Sequence, residues 1–199
     1  MNKGRLEAFS DGVLAIILTI MVLEIKVPGD ATLENLLGHY HVFLSYILSF
    51  IYIGIYWNNH HHMLHSMTRV NGAILWANLH LLFWLSLVPF STAWMGEKHF
   101  DDFTLIFYGF TLLMSGVAYY ILEKTIIADQ GPNSLLKKAV GNDLKGTASV
   151  IIYLTAILMV YIGIPLVAGL LYVSVAIMWL IPDKRIERML REREKGERN

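Results

Sequence analysis

The chain has 199 residues, of which 55% are hydrophobic and 16% charged, with a formal net charge of zero. Soluble domains carry about 25% charged residues, so this composition argues against a water-soluble globule and for an all-α membrane protein. Cysteine is absent, which excludes a disulfide framework, a thiolate metal site and a cysteine nucleophile.

A membrane-crossing helix needs about 20 mostly apolar residues. Six segments meet that need, at roughly 6–28, 41–63, 70–95, 103–123, 146–163 and 165–182. The first is the unusual one. Lys3 and Arg5 precede its apolar run in the manner of a secretion leader. Glu7 and Asp11 do not suit a leader, and no small-x-small cleavage pattern follows, so the segment reads as a retained helix. Its clean apolar stretch, Gly12 to Leu23, is only about twelve residues, well short of the required 20. To cross, it must carry Asp11 or Glu24 toward the membrane, and ionisable groups there face a bundle interior or a water-filled path. At about 100° per residue, Gly12, Ile16, Thr19 and Leu23 share one face, with Ile20 at its margin. Ser10 and Asp11 point away from it. The stripe is either a packing seam or the wall of a pore, and the residues alone leave both open.

The second span ends in a polar group of Trp57, Asn58, Asn59, His60, His61, His62 and His65. His61 and His65 are four apart and His62 and His65 three apart, a spacing that can hold zinc. No HExxH pattern accompanies them and any third ligand must come from elsewhere, so interfacial hydrogen bonding is expected ahead of metal binding or pH sensing. The third span opens near Asn71, carries Asn78 and His80, and contains Pro89, which should kink it. The fifth and sixth meet at Gly163-Ile164-Pro165. Unbroken, they would form a rod of roughly 54 Å against a hydrocarbon core of roughly 30 Å; the Gly and Pro favour two antiparallel helices.

With six spans both termini lie on one side. That side holds fourteen of the sixteen Lys and Arg residues, and the other holds Lys26 and Lys98. Lys and Arg concentrate on cytoplasmic loops, so both termini are expected in the cytoplasm. Residues 1–183 then form one transmembrane domain. Residues 184–199, with seven Lys/Arg and four Glu, form a charged cytoplasmic tail whose mixed charge argues against nucleic-acid binding. This topology puts the end of the second span and the start of the third at the depth of Ser10 and Asp11. Buried carboxylates need partners, and the candidates are the asparagines and histidines above, with Trp57 as an indole donor.

The string Arg5-x-x-x-Phe9-Ser10-Asp11, followed by an apolar helix ending Leu23-Glu24-Ile25-Lys26-Val27-Pro28, resembles the transmembrane protein 175 family of potassium channels, in particular its prokaryotic members with six helices per chain. Trp57-x-x-His60-His61 and Asn78-Leu79 through Pro89-Phe90 are similar as well. The resemblance implies a homotetramer in the cell membrane whose four first helices line an axial pore, with no re-entrant selectivity loop, no cofactor and K+ as the permeating ion. It implies an apolar constriction at Ile16 and Leu23, a selectivity ring at Thr19, and a proton leak in addition to potassium. It further implies a polar network in which Arg5, Phe9, Ser10 and Asp11 are held by His60 or His61 and Asn78. No hydrolase, phosphate-loop or dinucleotide motif occurs, so an enzyme is not expected. The alternative is a secondary transporter, which should place polar binding residues at mid-membrane on broken helices. Apart from Asn78 and His80 the midplane is poor in them.

Overall fold

The structure is a computed structural model that describes residues 2–29, 31–141 and 143–180. Among the described residues it is all-helical: α1 (Lys3–Leu23), α2 (Leu33–Gly38), α3 (Tyr40–Ser66), α4 (Gly72–Ser86), α5 (Val88–Glu97), α6 (Asp102–Gln130), α7 (Leu135–Val140), α8 (Leu144–Tyr161) and α9 (Pro165–Leu180). Five stretches are long and apolar enough to cross a membrane: α1, α3, α4 with α5, α6 and α8. The segment expected as a sixth span, α9, is a shorter apolar helix of 16 residues within the described chain, about 24 Å of rise. Its expected end at 182, and the tail 184–199, lie outside the described residues.

Local chemistry explains the breaks. Asn2, Thr32, Asn71, Asp101, Ser134 and Asp143 each cap a helix start by accepting a backbone N–H. Pro89 has no N–H to donate to the preceding turn, so the third span is interrupted at Leu87 and continues as α5. Gly163, at φ 83°, ends α8. Its N–H bonds the Val160 carbonyl at 2.9 Å and that of Ile164 bonds Met159 at 2.8 Å, a Schellman turn that Pro165 follows as the first residue of α9. The fifth and sixth segments are therefore separate helices packed against each other.

Two helix ends differ from expectation by several residues. The first helix ends at Leu23 instead of 28. The fourth runs to Gln130 instead of 123: the pair Glu123 and Lys124, 3.0 Å apart, sits within the helix, which stops only at Gly131, at φ 86°. The short helices α2 and α7 are too brief to register as spans.

Two cores result. One joins α1, α4 and the facing halves of α3 and α6, with Leu14, Ile17, Ile53, Leu64, Leu81 and Leu122 nearly or fully buried. The other joins α8 and α9 to the remaining faces of α3 and α6, around Tyr52, Tyr108, Tyr153 and Tyr172. Small residues let helices approach closely here. A side chain added at Gly109 would collide with the Tyr172 ring, which is fixed by its bond to the Leu105 carbonyl at 3.1 Å. Gly109→Leu should therefore lower the melting temperature of the purified protein by several degrees. Gly12→Ala, where an added Cβ meets nothing within 4 Å, should leave it nearly unchanged.

Candidate functional site

The candidate site is α1 and the polar groups that hold it. Leu6, Ser10, Leu14, Ile17 and Met21 are its buried residues. They recur every three or four positions and form one face, against α3, α4 and α5. The opposite face is open in the single chain: Ile16 is 58% and Leu23 79% exposed, and Gly12, Thr19 and Ile20 are exposed beside them. The stripe read from the sequence is thus not a packing seam within the subunit. The Thr19 hydroxyl donates to the Ile16 carbonyl oxygen at 2.8 Å. Its proton is turned back along the helix, leaving the hydroxyl oxygen's lone pairs available on the exposed side.

On the buried face the hydrogen bonds form a relay whose direction is fixed. The Ser10 hydroxyl donates to the Leu6 carbonyl at 2.9 Å, so it accepts from Asn78 Nδ2 at 3.0 Å. That orients the amide, and Asn78 Oδ1 must accept from His60 Nε2, 2.7 Å away. His60 therefore carries its proton on Nε2. All three side chains are at most 1% exposed, and the relay ties α1, α3 and α4 together at one depth.

Asp11 takes a separate route. Its Oδ1 accepts from Trp57 Nε1 at 3.0 Å. His61 is exposed and stacks on Trp57, with ring centroids 6.3 Å apart, and on His65 at 6.0 Å. Arg5 and Phe9 are exposed and join neither set. The expected single network is thus two separate contacts: Ser10 with Asn78 and His60, and Asp11 with Trp57. Ser10 and Asp11 are successive residues, about 100° apart around the helix, so they meet different neighbours. His80 accepts from Trp84 Nε1 on its own helix at 2.9 Å. Among the described residues no group of three His, Asp or Glu side chains is placed to hold a metal.

Beyond α1 the chain is pinned by an ion pair between Lys26 and Glu97 at the end of α5. The Glu97 carboxylate holds the Lys26 ammonium above the usual lysine range, through its hydrogen bond and then its charge.

The family model described as endosomal/lysosomal potassium channel TMEM175 matches residues 5–89, from the signature of α1 to the start of α5. A protein of Chryseobacterium sp. (strain P1-3) named a potassium channel is 55% identical over 96% of this chain and 100% of its own length. The chain belongs to the TMEM175 family. This is a channel family and not an enzyme family. A crystal structure of a Chamaesiphon minutus protein, described as a lysosomal potassium-selective channel TMEM175 homolog, superposes with a TM-score of 0.76 at 29% identity, covering 91% of this chain and 97% of that one. A Gallus gallus relative named an endosomal/lysosomal proton channel TMEM175 is 30% identical over 53% of this chain and 24% of its own length.

Proposed function

We propose that the chain is one subunit of a potassium-selective channel in the cell membrane, a homotetramer with six spans per subunit and cytoplasmic termini. Four copies of α1 surround the pore. In this reading Ile16 and Leu23 form apolar constrictions and Thr19 a ring of hydroxyl oxygens that replaces part of an ion's hydration shell. The observation that carries the reading is the two-faced α1: one face is packed in its own subunit, and the other, with its hydroxyl, is left uncovered between Asp11 and Glu24. A helix so short in clean apolar sequence is poorly suited to lipid on that side. The names of the bacterial relatives supply the ion. The vertebrate relative's name extends the reading to protons.

Purified protein in liposomes should pass potassium down its gradient in preference to sodium, and native mass spectrometry should find four copies. Saturable uptake coupled to proton movement would favour a transporter instead. Thr19→Ala should lower the potassium-to-sodium permeability ratio several-fold, because the exposed oxygens are lost while the apolar rings stay. An unchanged reversal potential under mixed-ion conditions would remove Thr19 from the selectivity role.

A further inference from the structure

Beside the relay, a second contact line runs along α1 and α3. Lys3 Nζ donates to the His65 carbonyl oxygen at 2.6 Å, and Asp11 accepts from Trp57. Lys3, Glu7 and Asp11 stand at successive helical turns of α1. His65, His61 and Trp57 stand at successive turns of α3, running the other way. The two observed contacts share one antiparallel register, which carries Glu7 and His61 onto the rung between them; the charge of Glu7 also reaches the buried His60 beside it on α3.

That middle rung is incomplete. Glu7 Oε1 is buried and has no hydrogen-bond partner. The nearest cation, Lys3 Nζ, stands 3.8 Å away, beyond hydrogen-bond reach, and is already committed to the His65 carbonyl. A buried carboxylate oxygen without a donor is costly. The group across the rung, an imidazole stacked between Trp57 and His65, becomes a donor at both ring nitrogens once it takes a proton.

We propose that Glu7 and His61 form a proton-operated clasp between α1 and α3: His61 takes up a proton from the cytoplasmic side and donates a hydrogen bond to Glu7 Oε1. The titratable and charged groups on the helices that pack here include Lys3, Arg5 and Asp11 on α1, His60, His62 and His65 on α3, His80 on α4, and Lys137 and Lys138 on α7, which also packs on α3. His60 already gives its Nε2 proton to Asn78 and His80 serves Trp84. The clasp itself stands on contacts within one subunit. Its effect on permeation rests on the proposed pore, since the helix it restrains is the one that would line it.

The sign follows from linkage. A histidine that gains an anionic partner in the folded state adds stability at low pH, and that stability is lost as pH rises through its folded-state titration. The test is a double-mutant cycle of Glu7→Gln and His61→Gln on the full chain, read as melting temperature at about pH 5.5 and about pH 8, either side of the ordinary imidazole range. The expected result is non-additivity of about 2 °C or more at the lower pH and none at the higher. Coupling of equal size at both pH values would mean an ordinary structural contact and would overturn the proposal, as would its absence at both. An Asp11→Asn cycle with His61→Gln should show no such pH dependence. In liposomes, wild-type potassium flux should change several-fold between the same two internal pH values, and Glu7→Gln should flatten the change. An unflattened response alongside intact coupling would overturn the clasp as a regulator. The melting cycle needs no conduction, so it separates failure of the clasp from failure of the channel reading.

Discussion

Ile16→Asn and Leu23→Asn should each raise resting potassium flux in liposomes, and the double variant should raise it most, by about tenfold or more. A narrow ring of apolar side chains expels water, and an ion cannot cross the dry gap without losing its hydration. An asparagine ring stays wet. The two positions are seven residues apart, about 10.5 Å along the axis, so they form two barriers in series. Wetting one leaves the other in place, which is why the double change should exceed either single change. Folding should be little affected, because both side chains are exposed in the subunit and no contact of the first core is lost. Variants reconstituted in equal amount with unchanged or lower flux would remove these residues as the constriction.

Asn78→Leu should be the most destabilising change in the polar relay. It leaves two buried groups without partners, the His60 Nε2 proton and one acceptor site of the Ser10 hydroxyl, in a place from which water is excluded. Each orphaned group costs about 1–3 kcal/mol, for a total of about 2–6 kcal/mol. Measured polar couplings between membrane helices average about 0.6 kcal/mol, because the separated helices also find partners. A loss of only that size would mean that apolar packing, not the relay, secures α1. Ser10→Ala should cost less, since it orphans one Asn78 proton. Trp57→Phe should cost least, because Trp57 is 47% exposed and Asp11 can turn to water. Thermal unfolding in detergent, with amide exchange of α1 as a second measure, gives the order.

Much of the architecture is legible in local sums. Hydropathy over about 20 residues finds the spans, and the Gly163–Pro165 break and Pro89 divide them where the helices do part. Length was harder to read. Glu123 and Lys124 look like a helix end in sequence, yet α6 continues through the six residues that follow and stops at Gly131. The stripe of Ile16, Thr19 and Leu23 was readable from angular spacing. Whether it was covered was not, because coverage depends on which side of α1 the rest of the subunit occupies.

The polar partners mark the same boundary. Ser10, Asp11, Trp57, His60 and Asn78 could be gathered at one depth from topology. Their pairing could not be ranked, and Arg5 and Phe9, which join neither contact, and His61, which stacks beside Trp57 without a bond to Ser10 or Asp11, belonged to the same expectation. Glu7 was missed, although Lys3, Glu7 and Asp11 repeat every four residues opposite Trp57, His61 and His65.

The amino-acid sequence by itself determined that this is a helical membrane protein, where its apolar segments lie, and that its first helix carries a hydroxyl in an apolar stripe between acidic ends. These follow from composition and period, which act over a few turns. Only the tertiary structure decided that the stripe is uncovered, that Ser10 is tied to Asn78 and His60, and that Asp11 meets Trp57. Those outcomes depend on the register of helices whose contacting residues are 18 to 68 positions apart in the chain, and register is set by the packing of whole faces.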